Sequence, residues 1–192
     1  MELIIILFLA YLIGSFPSST LVSYKWTGQN IRNLGNGNPG MMNVLDNVGV
    51  KPAIWVGILD IGKGVLAVLI TKFFGLGVSV EIIAALTAVI GHDFSIFLRL
   101  RGGNGMATAV GGIFALAIIA AIPALIIAFV ICFITGSRRL GGIIGLILVP
   151  GLAYVFNLND TIIVGIVLLE TIAAVKIIKF EGFSPTRSRM VQ

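Results

Sequence analysis

His92 is the only histidine in the chain, and Asp93 follows it directly. An imidazole beside a carboxylate can take or give a proton near neutral pH. The two can equally form a structural pair, but they end an apolar run, where ionisable groups are costly unless paired or functional. Next comes Arg99-Leu100-Arg101-Gly102-Gly103-Asn104-Gly105-Met106-Ala107-Thr108. A glycine loop running into a helix start offers unpaired N–H groups and the positive end of a dipole, which suits phosphate. It is not a P-loop, because no Gly-Lys-Ser/Thr follows a strand. Earlier in the chain, Arg32-Asn33-Leu34-Gly35-Asn36-Gly37-Asn38-Pro39-Gly40-Met41-Met42-Asn43 repeats the theme. Closely spaced glycines allow several N–H groups to face one anion, or simply make a tight interfacial turn. Gly14-Ser15-Phe16-Pro17-Ser18-Ser19 serves either helix packing or ligand contact, with serine hydroxyls near a carbonyl freed by Pro17. Asp60 and Lys63 are three apart on one helical face and read as a paired structural bridge rather than a substrate contact. No nucleophile elbow, metal-ligand cluster or cofactor fingerprint is present, so an enzyme built from these parts needs a substrate that arrives activated.

The elements that must position these residues are membrane helices. The chain has 192 residues, 58% hydrophobic and only 11% charged. Soluble domains average about 45–50% apolar and about 25% charged. So much apolar surface cannot be hidden in one soluble core, and lipid becomes the solvent. A net charge of +5 reads as basic loops facing an anionic leaflet rather than as a nucleic-acid surface. Cys132, the single cysteine, allows no internal disulfide. The N-terminus lacks a basic n-region and reads as a retained first helix.

Apolar runs cover Leu3–Val22, Pro52–Thr71, Val80–Leu98, Met106–Thr135, Leu140–Phe156 and Thr161–Lys179. A crossing needs about 20 residues. Met106–Thr135 is long for one helix and short for two, and Pro123 lies inside it. If it is two short helices turning near Ala121–Pro123, with the N-terminus outside, one side collects nearly all the basic charge. Lys25, Arg32, Lys51, Arg99, Arg101, Arg138, Arg139, Lys176, Lys179, Arg187 and Arg189 are then cytoplasmic. Only Lys72 is outside, and Lys63 is embedded. The positive-inside rule therefore predicts an all-α polytopic protein of about seven transmembrane helices, N-terminus out, with residues 1–192 forming one membrane-embedded domain.

These stretches, in this order, resemble the bacterial acyl-phosphate:glycerol-3-phosphate acyltransferase family. The resemblance rests on Gly14-Ser15, on Gly35-Asn36-Gly37-Asn38-Pro39-Gly40 followed by Asn43-Val44-Leu45, on Asp60 with Lys63-Gly64, on Gly91-His92, and on Arg101-Gly102-Gly103 followed by Gly105, Ala107 and Thr108. It implies seven transmembrane helices in the bacterial plasma membrane, with the active site on the cytoplasmic side. The implied reaction moves an acyl chain from acyl phosphate to the sn-1 hydroxyl of glycerol 3-phosphate, giving lysophosphatidate and phosphate. No cofactor or metal is implied, and the partners are the two substrates and membrane lipids, not nucleic acid.

The resemblance points to His92, Ser15 and Asn43 at the reacting centre. Gly35, Asn36, Gly37, Asn38, Gly40, Arg101, Gly102, Gly103, Asn104, Gly105, Thr108 and Arg139 become the phosphate-holding set, with His92 or a substrate phosphate oxygen as base. Departures are also visible. Asn104 stands where the family has lysine, Asp46 where it has arginine, Met41-Met42 for Ala-Thr and Arg139 for serine, and Glu170–Gly182 lacks the usual His and Asn. Alternative readings are a non-catalytic lipid- or phosphate-binding relative or regulator and, from embedded Asp60 and Lys63, a small transporter.

Overall fold

The computed structural model describes residues 1–181, with the side chains of Arg139 and residues 177–181 left aside; Arg187, Arg189 and Gln192 lie outside the described residues. Every described element is helical: α1 (Glu2–Ser15), α2 (Ser18–Thr27), α3 (Met41–Asn47), α4 (Val50–Phe73), α5 (Val78–Asp93), α6 (Met106–Thr135), α7 (Arg138–Val155) and α8 (Asp160–Glu181). Short 3-10 turns occupy Ile31–Asn33 and Ile96–Leu98. Four stretches are long and apolar enough to cross a membrane: Glu2–Thr27, Val50–Phe73, Val78–Leu98 and Met106–Thr135.

In lipid there is no hydrophobic force between helices, so close approach over small residues must hold them together. Gly14 lies on the backbone of Ala88, and Gly91 on the backbone of Tyr11, which locks α1 to α5 from both sides. Gly64 meets the carbonyl of Thr108, and Gly111 that of Ile61, which does the same for α4 and α6. Alanines 84, 85 and 88 on α5 are fully buried between these seams.

Pro17 divides the first span. It has no N–H to donate, so α1 stops at Ser15 and α2 restarts at Ser18, where the N–H bonds back to the carbonyl of Phe16 at 2.9 Å. The break turns Ser15, Ser18 and Ser19 inward, and all three are buried.

The interruption of α6 falls at Ala117 (φ −146°, ψ 53°) and not at Ala121–Pro123. With the helix restarting just after Ala117, Pro123 sits early in the new segment and forfeits one backbone bond without breaking it. The freed carbonyl of Ala115 accepts from Lys72 Nζ at 2.6 Å, and Lys72 also pairs with Glu81 at 3.8 Å. Beyond the break the chain returns. Arg138, at the start of α7, pairs with Asp46 of α3 at 3.2 Å. Gly141 and Gly145 pack on Ala128 of the second arm. The helix α8 then runs from Gly165 beside Ile82, near the start of α5, to Lys176 beside Asp93 at its end. Both ends of α6 therefore lie at the end of the bundle that carries the glycine loops.

Candidate functional site

The broken first span, α4, α5 and the start of α6 converge on one polar cluster. The hydroxyl of Ser18 donates to Asp60 Oδ1, and Lys63 Nζ contacts the same carboxylate oxygen at 2.7 Å and Ser18 Oγ at 3.1 Å. Lys63 Nζ is also 3.5 Å from His92 Nδ1, which Thr108 Oγ1 approaches at 3.3 Å. Asp60 is 1% exposed and Lys63 5%. Such charges are tolerated at membrane depth only when paired. The expected Asp60–Lys63 bridge forms, and Lys63 has a second face that lines a small cavity with Ser15, Ser18, Ser19, His92 and Gly103. Lys63 is the functional candidate that the sequence reading left in a structural role; the signal was its embedded charge near a second embedded titratable group.

The opposite nitrogen of His92 faces the second glycine loop. A Cβ on Gly103 would strike His92 Nε2 and come within 3.1 Å of the Pro39 carbonyl. Gly103 N–H donates to the His92 carbonyl at 3.1 Å, and Gly102 N–H to the Asp93 carbonyl at 3.0 Å. In the first loop, Gly37 N–H donates to Leu34 O at 3.0 Å and Gly40 N–H to Asn38 O at 2.9 Å. The expectation that these four glycine amides face an anion is thus corrected: they hold the loops together. Gly102 and Gly103 are needed because the loop passes against the backbone and ring of His92. The amides of Asn104 and Gly105, leading into α6, have no acceptor among the described residues. Gly105 caps α6 at φ +66°, where a side chain would also meet Asp93.

The other sequence candidates divide. Ser15 lines the cavity, donating through its hydroxyl to Gly91 O at 3.2 Å and accepting from Ser95 Oγ at its carbonyl. Asn38 and Asn104 are buried, and each has an unpartnered Oδ1. Asn36 accepts the amide of Asn38 at 3.0 Å. Gly35 takes φ +54°, and a Cβ there would meet the side chains of Asn43 and Asn47.

Asn43 is not brought to His92. Its Nδ2 bonds the carbonyls of Ile31, Leu34 and Asn38 at 3.3, 3.0 and 3.0 Å, which staples the first loop. Ser19 ties that loop to α2 through the carbonyl of Pro39 at 2.7 Å. Asp46 is not a bare negative charge aimed at the cavity; it is exposed and paired with Arg138. Lys176 is held at Asp93, donating to its carbonyl at 3.0 Å with its ammonium 4.1 Å above the Phe94 ring. Arg139 lies in the first turn of α7, with its side chain outside the described residues. Arg101 lies outside the cavity, on a wider recess of about 500 Å³ that it shares with Arg32 and Arg99.

Chemically, this arrangement offers an immobilised imidazole, a buried ammonium and a free helix start, with the hydroxyls of Ser15, Ser18 and Ser19 committed to the Gly91 carbonyl, Asp60 and the Pro39 carbonyl. Residues 4–182 match the family model described as glycerol-3-phosphate acyltransferase. A glycerol-3-phosphate acyltransferase 2 of Moorella thermoacetica is 39% identical over 151 residues, covering 79% of this chain and 77% of that protein. Relatives of the same description in Dehalococcoides mccartyi and Synechococcus are each 44% identical over 108 residues, 56% of this chain, and that match spans about half their length, 51% and 54%. Among solved structures, that of PlsY, an integral membrane glycerol 3-phosphate acyltransferase in its glycerol 3-phosphate form, superposes with a TM-score of 0.84 at 27% identity, over 93% of this chain and 90% of that one.

Proposed function

The chain belongs to the glycerol-3-phosphate acyltransferase family, and on that footing we propose that it transfers an acyl chain from acyl phosphate to the sn-1 hydroxyl of glycerol 3-phosphate. Lysophosphatidate and inorganic phosphate are the products. The reaction takes place at the cytoplasmic face of a bacterial plasma membrane, in one domain crossing seven times with its N-terminus outside. Both ends of α6 at the loop end of the bundle support that count, since the run Met106–Thr135 then supplies two crossings.

The observation that carries the mechanism is the environment of His92. Lys63, which has only donors to offer, lies 3.5 Å from Nδ1 and Asp60 Oδ1 3.7 Å from it; with that carboxylate oxygen already bound by Lys63 and Ser18, we take Nδ1 as an acceptor from Lys63. A neutral ring then carries its proton on Nε2, the nitrogen turned toward Gly103. His92 is a hydrogen-bond donor in this tautomer, suited to hold the oxygen of the acyl carbonyl as negative charge develops there. The hydroxyl of glycerol 3-phosphate attacks that carbonyl, the bond to the phosphate oxygen breaks, and the hydroxyl proton passes to a phosphate oxygen of the substrates. Placing the two reactants side by side supplies much of the remaining rate, because the mixed anhydride is already activated. The amides of Asn104 and Gly105 at the α6 start and the Lys63 ammonium supply positive potential close by, in place of the lysine that Asn104 replaces.

The test is direct. Purified protein in neutral detergent, given acyl phosphate and glycerol 3-phosphate, releases lysophosphatidate and phosphate, and acyl-CoA does not substitute. Transfer from acyl-CoA with no use of acyl phosphate overturns the assignment. For the topology, labels at Asn36 and after Gln192 report cytoplasmic and a label at Asn159 reports external; Gln192 and Asn159 on one side would break the count.

A further inference from the structure

Asp93 and Lys176 take no part in the chemistry set out above, yet they sit against it. Lys176 Nζ, on α8, donates to the Asp93 carbonyl at 3.0 Å and lies 4.0 Å from Asp93 Oδ2, across 83 residues of sequence. Asp93 is 1% exposed, and its other carboxylate oxygen, Oδ1, has no hydrogen-bond partner among the described residues. That oxygen lies against the start of α6: a Cβ on Gly105 would come within 2.6 Å of it. The helix begins without a side-chain cap, and the amides of Asn104, Gly105 and Met106 have no acceptor among the described residues.

An aspartate beside a helix start ordinarily caps it, because the carboxylate accepts the first amides and meets the positive end of the dipole. Here the carboxylate is adjacent and does not cap. The charge that competes for it is Lys176. We propose that Lys176 is a positioning residue: it holds the Asp93 carboxylate off the start of α6 and so keeps that helix start open. Without the ammonium, the carboxylate turns onto the free amides and becomes a built-in anion where the reaction needs an open positive end. The effect on turnover rests on the acyltransferase reading above; the contact itself does not.

The way Lys176 is anchored favours this role over plain packing. Its ammonium is fixed by the Asp93 carbonyl and by the Phe94 ring 4.1 Å away, neither of which is the carboxylate it restrains. The carbonyl is fixed in turn, since it also accepts Gly102 N–H at 3.0 Å. A buried carboxylate needs a counter-charge. This one is met at 4.0 Å on one oxygen and left unbonded on the other, so it is restrained without being saturated. Gly105 has no side chain to screen that oxygen from the amides.

The experiment compares variants of the full chain in neutral detergent. Lys176→Met should raise the KM for glycerol 3-phosphate about tenfold, the size of one capping interaction, with kcat changed by less than about threefold. Lys176→Arg keeps a cation and should stay within about threefold of the parent. Lys176→Met with Asp93→Ala removes both charges and should bring the KM back to within about threefold of the parent. A purely structural lysine predicts the opposite, a double variant at least as impaired as the single. That result, in a protein whose thermal midpoint shows it folded, overturns the proposal. If Lys176→Met alone does not fold, the double variant decides, because it leaves neither member of the pair as a stranded charge.

Hydrogen exchange supplies a readout that needs no turnover. Amides in peptides covering residues 102–108 should exchange about tenfold more slowly in Lys176→Met than in the parent, and at the parental rate in the double variant. Such protection in a protein without acyl transfer keeps the Asp93 contact and removes the reaction. An active Lys176→Met enzyme with a parental KM and unprotected amides keeps the reaction and overturns the proposal.

Discussion

Lys63 and Arg99 line two neighbouring spaces that share Leu98, a small cavity and an open recess, and are held in opposite ways. Lys63 is 5% exposed, locked between Asp60, Ser18 and His92. Arg99 stands on the surface of an open recess, paired with no carboxylate among the described residues. A buried charge is bound to its partner because removing either leaves the other desolvated. An open arginine faces no such penalty and is available to an incoming anion. The difference teaches where stability ends: a buried cluster fixes geometry, and an open recess leaves its charges uncommitted.

The sharpest way to break this contrast is Lys63→Met. It strands the Asp60 carboxylate, and the expected loss is about 3–5 kcal/mol, read as a fall in thermal midpoint in detergent. Asp60→Asn added to Lys63→Met should recover part of that stability while leaving activity low; recovery of both would show that Lys63 serves packing alone. His92→Ala comes next. If Nε2–H holds the carbonyl oxygen, kcat should fall by about 10²–10³ with a small change in KM, and His92→Gln, which keeps a donor, should retain more activity than Ala. Equal loss in both variants would return the histidine to the role of base.

Gly64→Ala tests the seam behind the cluster. Its new methyl meets the carbonyl of Thr108, so a loss of about 1–3 kcal/mol is expected, with activity falling as Thr108 moves away from His92. Asn104→Lys adds charge at the α6 start and should lower the KM for glycerol 3-phosphate by about tenfold, measured at saturating donor. Pairing it with Asp46→Arg brings no further gain, because that arginine would face Arg138. The smallest effect belongs to Asp46→Ala. Its pair with Arg138 is half exposed on both sides, and a change of about 0–1 kcal/mol is expected. A larger change would mean that this pair, like the cluster, is bearing structure.

The helices were legible because lipid imposes a length and a composition, and four stretches among the described residues meet both. The bend of α6 was legible only as a conflict between length and charge. Pro123 offered a visible breaker, whereas Ala117 has a side chain that signals nothing, and the break falls at Ala117. The glycine loops were found in sequence, but their glycines were read as anion cradles. At Gly102 and Gly103 the requirement is instead the close passage of backbone over His92. Asp60 and Lys63 could be paired by helical spacing, but the approach of Lys63 to His92 joins residues 29 apart through the register of α4 on α5, which no local pattern encodes. The same holds for Asp46 and Arg138, 92 apart.

The break at Ala117 also bears on how the chain enters the bilayer. The first arm of α6 has about a dozen residues, about 18 Å of helix, against a hydrocarbon layer of about 30 Å. Alone it is too short to be accepted as a crossing, and its last carbonyls would be stranded in oil. Lys72, made earlier in synthesis at the end of α4, meets one of those carbonyls. Insertion of this arm therefore has to wait for α4 to be seated, or proceed together with the second arm as a hairpin. A released chain that ends just after Ala117 should leave the arm in water, and one that ends beyond Gly136 should have it inserted.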